Sequence, residues 1–144
     1  MDKILIGRRD VADLIDFDLN HVPVKVDSGA YTSSIHAKLI EEVEYQGVMQ
    51  LKVVFLDENH ASYSGIPHYF KNYRSKKVKS SNGIEQVRFF IKTKIRMFDV
   101  DFVTEFSLTQ RSGMRFPILL GRKLLNHRFI IDTSKINLSQ NSST

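Results

Sequence analysis

Cysteine is missing from this 144-residue chain. Its absence excludes a disulfide framework, a cysteine-ligated zinc centre and thiol chemistry, and it favours a cytoplasmic setting. Long apolar runs are missing as well. Ile4-Leu5-Ile6 is stopped by Gly7-Arg8-Arg9-Asp10, too short for the core of a signal peptide and far short of a membrane span. The sequence has no His-Glu-x-x-His pair for zinc and no G-x-x-x-x-G-K-[ST] loop to cradle phosphates, so no cofactor is expected. A metal site would have to come from His60, His68 and an acid, whose spacing fits no standard pattern. There is also no internal repeat, linker or low-complexity block. At this length one domain is expected over residues 1–138, followed by a polar tail from Ser139 to Thr144 that should fray.

What the chain has in excess is positive charge, formally +5. Much of it lies between Lys71 and Lys79, where five basic residues stand without an acid. Such a local field favours acidic partners without choosing among nucleic acid, an anionic surface and an acidic peptide. Tyr69, Phe70 and Tyr73 alternate with Lys71, Arg74, Lys76 and Lys77, a mixture that suits single-stranded nucleic acid. The patch is short, however, and a basic loop is the simpler reading, so neither nucleic acid nor membrane is the expected partner.

Period-two patterning dominates. Val22, Val24 and Val26 alternate with Pro23 and Lys25, giving a strand that runs straight into Asp27-Ser28-Gly29-Ala30, where glycine permits a sharp turn. Leu51 to Leu56 reads as a strand followed by a turn at Asp57-Glu58-Asn59. Val87, Phe89, Ile91, Thr93, Ile95 and Met97 fall on one face of a long strand, with Phe90 out of pattern; Val100 to Leu108 repeats the alternation as its antiparallel neighbour. Ser80-Ser81-Asn82-Gly83 precedes that strand and signals a projecting hairpin. Past Pro117, Ile118-Leu119-Leu120 and Gly121 lead into a short helix from Arg122 to Asn126, and Phe129-Ile130-Ile131 forms a last strand.

An aspartate, a hydroxyl residue and glycine at the end of a buried strand are what half of an aspartic-peptidase site requires. Two such carboxylates held together cannot both ionise, so they share a proton and activate a water between them. Ser28 would link the two half-sites through its hydroxyl, and Gly29 would leave room for a peptide. The tripeptide alone is weak, since roughly one chain in twenty of this length carries it by chance at average composition. An ordinary turn is the plain alternative.

Context carries the argument further. Val24 to Ala30 resembles the catalytic strand of retropepsins, and Pro117-Ile118-Leu119-Leu120-Gly121-Arg122 resembles their second fingerprint, with a candidate flap between. Ile6 to Arg9, Asp27 to Ala37, Val78 to Gly83, Leu119 to Arg122 and Phe129 to Asp132 are similar to the bacterial retropepsin-like family labelled "ATP-dependent zinc protease", which includes RimB-like proteins associated with ribosomal-protein modification. The resemblance covers most of the chain and is weakest from Glu58 to Asn72. It implies a mostly β, closed-barrel acid-protease fold with one short C-terminal helix. It also implies a homodimer in which Asp27 of each subunit acts on a peptide or protein substrate, with Ser80 to Gly83 as the flap. An acidic or glutamate-rich peptide would suit the basic stretch; a non-catalytic module of the same fold, gripping a peptide or serving dimerisation, is the rival. The acids that follow the catalytic turn in viral retropepsins are replaced by Tyr31 and Thr32, so Arg122 must find another partner. His36 stands close enough to the turn to line a pocket, or to be an ordinary surface or core histidine.

Overall fold

The computed structural model describes residues 2–79 and 81–141. Its centre is a barrel of six strands: β2 (Arg9–Leu14), β3 (Leu19–Val26), β4 (Ser33–Tyr45), β8 (Glu85–Met97), β9 (Val100–Thr109) and β10 (Ile118–Leu120). Around the ring the order is β10, β3, β2, β8, β9, β4, and closure comes when β10 pairs with β4 as well as with β3. Between them lie β5 (Val48–Phe55), β6 (His68–Phe70) and β7 (Arg74–Lys79); β5 and β6 extend from β4, and β7 pairs with β8. Helix α1 (Arg122–Leu125) follows β10. Outside the barrel, β1 (Ile4–Ile6) and β11 (Phe129–Ile131) form a parallel two-stranded ribbon. None of the described helices is long and apolar enough to cross a membrane.

Side-chain alternation explains the closure. Val22 and Val24 on β3, Ala12 and Leu14 on β2, Ile91 and Ile95 on β8, Phe106 on β9, Ile35 on β4 and Ile118 and Leu120 on β10 all point into one core and are almost entirely buried. Burial of a large aliphatic side chain is worth about 1.5–3 kcal/mol, and period two gives each strand one such face. Phe90, the break in the β8 pattern, is buried on the outer face beneath the Arg74 guanidinium, whose carbon lies 4.1 Å from the ring centre.

Two tight hairpins arise from pairs of residues with positive φ, Gln46-Gly47 between β4 and β5 and Phe98-Asp99 between β8 and β9. The Asn-Gly pair behaves differently. The β7–β8 hairpin is present, but its last pair is Lys79 with Glu85, so Asn82-Gly83 sits in a five-residue loop in which Gly83 takes φ +84. Ser80 lies outside the described residues. Residues 139–141, expected to fray, are built into the fold. Leu138–Asn141 makes a 3-10 turn, and both the amide and the hydroxyl of Ser139 donate to the buried carboxylate of Asp10.

Candidate active site

Asp27 is the first residue beyond β3, and its backbone is tied to a strand far away in sequence. Its N–H donates to the Leu120 carbonyl at 2.9 Å, continuing the parallel pairing in which Leu120 stands opposite Val26. The Gly29 N–H donates to Asp27 Oδ1 at 3.0 Å. Among the described residues Oδ2 receives no hydrogen bond, so one carboxylate oxygen is fixed and the other is open. Gly29 makes the turn without entering the left-handed region. It is small because a Cβ there would stand 3.3 Å from Asp27 Oδ1.

The second fingerprint locks the turn from beneath. The Arg122 and Lys123 amides donate to the Ala30 and Tyr31 carbonyls at 2.9 and 2.8 Å, and the Gly121 amide donates to Ser33 Oγ at 2.9 Å. A Cβ on Gly121 would fall 2.7 Å from the Tyr31 carbonyl oxygen, so the crossing admits no side chain. Arg122 finds its partner in backbone: Nη1 donates to the Ser28 carbonyl at 2.9 Å, and the guanidinium carbon stands 5.8 Å from the centre of the Tyr31 ring. Where an acid is missing, a carbonyl of the acid turn itself takes its place.

Asp27 borders two clefts. The larger, about 750 Å³, runs from Asp27, Ala30 and Thr32 to Gln86, Val87, Arg88 and Phe89 on the stem of the β7–β8 hairpin. The smaller, about 300 Å³, is walled by Lys25, Arg115, Met114 and Phe116. Leu119 and Arg111 line both, and in each cleft Asp27 is the one carboxylate among the lining residues. The stem of the hairpin lines the larger cleft, while Ser81, Asn82 and Gly83 at its tip line neither. Leu120 is buried in the core and Ser28 is exposed beside the turn.

No local pattern marks the four cleft cations, Lys25, Arg88, Arg111 and Arg115, because they come from three separate segments: β3, β8 and the loop between β9 and β10. The basic strand β7 contributes indirectly. Arg74 donates twice to Glu105, at 2.9 and 3.2 Å, and Lys123 of α1 approaches the same carboxylate at 3.2 Å. The hydrogen bond from Arg74 is the main cause that holds the Glu105 carboxyl below its ordinary range.

The histidines separate. His68 packs on Phe17 and Phe55, with ring centres 4.9 and 5.7 Å apart, and burial pushes its pKa down. His60 stands elsewhere, with Nε2 3.9 Å from Asp57 Oδ1. Among the described residues no three histidine or acid side chains are grouped to hold a metal. His36 belongs to the core and bonds to Asp57 at 2.8 Å.

Comparison with known proteins agrees with this fold. Residues 5–141 match the model of the RimB-like family, described as retropepsin-like aspartic endopeptidase RimB. A probable alpha-L-glutamate ligase of Desulfotalea psychrophila is 29% identical over 134 residues, covering 90% of this chain and 28% of that protein. A protein of the same name from Shewanella pealeana is 27% identical, with 93% and 29% covered. The chain thus spans less than a third of the length of these curated relatives. A crystal structure of a Legionella pneumophila protein of unknown function (DUF785) superposes with a TM-score of 0.68 at 24% identity, covering 96% of this chain and 99% of the other, and shares the fold. With a family match across nearly its whole length and a closed barrel that ends in the acid turn, the chain belongs to the RimB-like family of retropepsin-like proteins.

Proposed function

We propose that this chain is one half of an aspartic peptidase that hydrolyses amide bonds in acidic peptides. The observation that carries the reading is the state of Asp27, one oxygen held by the Gly29 amide, the other open, at the junction of two clefts that contain no second acid. A lone carboxylate is a poor catalyst for amide hydrolysis. Brought against its twin from a second copy, it shares one proton: the ionised partner removes a proton from water as the oxygen attacks the carbonyl, and the protonated partner donates to the carbonyl oxygen; the carboxyl that took the water proton then gives it to the leaving nitrogen as the C–N bond breaks, and the gem-diol returns its proton to the other.

The surface around the turn supports a twofold contact. A third cavity adjoins Ser28 and Arg122 and runs to Phe129 and Ile131 of β11. On the same ribbon Leu5 and Ile130 stand opposite each other, both half-exposed and apolar. Packing two copies on this face would cover the apolar pair and bring the Ser28 turns together. The hairpin stem would act as the lid, excluding water from the larger cleft. No cysteine needs an oxidising compartment, which favours the cytoplasm.

Four cations around one acid favour substrates with carboxylate side chains. The ligase name of the longer relatives points the same way, since an enzyme that adds glutamate makes a product that an acid-selective peptidase can trim. The ligase reaction itself has no phosphate-cradling loop in this chain.

Incubating a library of acidic peptides with the protein and reading the products by mass spectrometry tests the proposal. Parent protein should release new amine termini, and Asp27→Asn should reduce the rate by about a thousandfold or more while circular dichroism and molar mass stay the same. Equal cleavage by the Asn variant removes Asp27 from the chemistry. Tight binding without cleavage favours the non-catalytic module.

A further inference from the structure

Among the buried groups that the catalytic reading leaves unused, His36 and Asp57 stand out because both are nearly inaccessible, at 2% and 5% exposure. Such a pair is a weak device for stability, since apolar replacement of buried ionic groups is often neutral or better. Its geometry points outward, to the loop that walls the cleft.

We infer that Arg111 is the residue that selects an acidic side chain beside the cleaved bond, and that His36, oriented by Asp57, is the positioning residue that holds Arg111 there. The inference rests on the peptidase reading for the words "cleaved bond" and on geometry for everything else. Arg111 alone among the cleft cations borders both clefts next to Asp27; Arg88 borders only the larger, Lys25 and Arg115 only the smaller. It is exposed, and among the described residues no carboxylate pairs with it.

The loop from Arg111 to Pro117 has no regular structure, and both of its ends are fastened to one residue. The Arg111 N–H donates to His36 Nδ1 at 2.9 Å, and the His36 N–H donates to the Pro117 carbonyl at 2.8 Å. A backbone amide can only donate, so Nδ1 must accept and the ring proton must sit on Nε2. Asp57 enforces that choice, because its Oδ2 takes the Nε2–H at 2.8 Å. Burial pushes the Asp57 carboxyl up, but the Asn59 amide, the His36 bond and neighbouring His60 outweigh it and keep the group below its usual range, hence an acceptor.

The alternative tautomer also has a partner waiting: the Thr109 carbonyl lies 3.3 Å from Nδ1. If the proton moved to Nδ1 it would turn to Thr109, and the Arg111 amide would lose its acceptor. The other polar groups nearby are His60, whose buried Nε2 has no hydrogen bond among the described residues, and Lys38, which is paired with Glu58 at the rim. Neither touches Arg111.

The test uses the full chain carrying Asp27→Asn, so that binding is read without turnover. Two labelled peptides, one with glutamate and one with glutamine at every acidic position, are compared by fluorescence anisotropy at low salt. The glutamate peptide should bind at least tenfold tighter. Adding Arg111→Ala should erase most of that ratio, Arg111→Lys should restore part of it, and Asp57→Asn should lower it about three- to tenfold. A general loosening weakens both peptides alike and leaves the ratio unchanged; that result, or a ratio unaffected by Arg111→Ala, overturns the inference. Nitrogen-15 NMR of His36 in the unmodified protein reads the tautomer even if the Asp57 variant fails to fold: a proton on Nε2 supports the positioning role and one on Nδ1 ends it. Absence of hydrolysis by the parent with the ratios as expected would defeat the peptidase reading alone.

Discussion

Strand β8 has two halves that obey different rules. From Phe90 to Met97 it pairs with β9, and cross-strand neighbours carry opposite charges, Lys92 with Glu105 and Arg96 with Asp101. From Glu85 to Phe90 it pairs with β7, where Lys79 still faces Glu85 at the far end but Lys76 stands opposite Arg88. Opposite charges across a ladder add a few tenths of a kcal/mol, whereas like charges oppose pairing. The barrel half is arranged for its own stability. The cleft half sets Arg88, which lines a cleft with Asp27, against a second cation, and its apolar residue Val87 stays 53% exposed while Ile95 of the barrel half is fully buried. The difference teaches where the molecule keeps its interactions in reserve for something else.

The largest test of the contrast is truncation. Ile95→Ala should cost about 2–5 kcal/mol in urea unfolding, because a filled core site cannot collapse fully. Val87→Ala should change stability by no more than about 0.5 kcal/mol, yet slow peptide turnover. Similar losses at both sites would mean that the hairpin stem is as structural as the barrel. Next in size is Lys76→Glu, which places opposite charges across the ladder. It should stabilise the hairpin by about 0.2–1 kcal/mol in thermal melts while weakening acidic-peptide binding, by titration calorimetry, by about tenfold.

A smaller effect concerns acid. The Glu105 carboxyl is held low by its bond from Arg74, so its contribution is complete above the carboxylate's ordinary pKa, roughly 4.3, and is lost as pH falls through the lowered value. Glu105→Gln should therefore flatten stability against pH on the acid side and leave the neutral-to-alkaline side parallel to the parent, as followed by melts from pH 7 downward. Smallest of all is Arg96→Ala. Its pair with Asp101 is exposed, and the midpoint of the same urea titration should barely move.

Apolar runs marked β5 and β11, the two fingerprints located Asp27 and Gly121-Arg122, and period-two patterning made β3, β8 and β9 legible from sequence. It failed at β4 and β2 for a common reason. Ser33, His36 and Asp10 are buried polar residues that break the apolar alternation, and each is satisfied by a partner more than 20 residues away: Gly121, Asp57 and Ser139. Local pattern cannot announce a partner that only the tertiary fold supplies. Strand β7 was hidden similarly, since five of its six residues are exposed and its place is set by β8. The cleft cations were equally silent, since an arginine on a loop has no signature until the fold shows what it faces.

The bond from the Asp27 amide to Leu120 has a consequence for the timing of biosynthesis. A chain emerging from the ribosome presents the acid early and its clamp some ninety residues later, as the 88-residue span from Ser33 to Gly121 also marks. At about 5–20 residues per second that interval lasts several seconds. Until Ile118–Leu120 arrives the ring is an open sheet, and the turn that bears the carboxylate hangs from a single strand. In a nascent polypeptide of this design the acid turn becomes geometrically defined only with the last stretch of barrel.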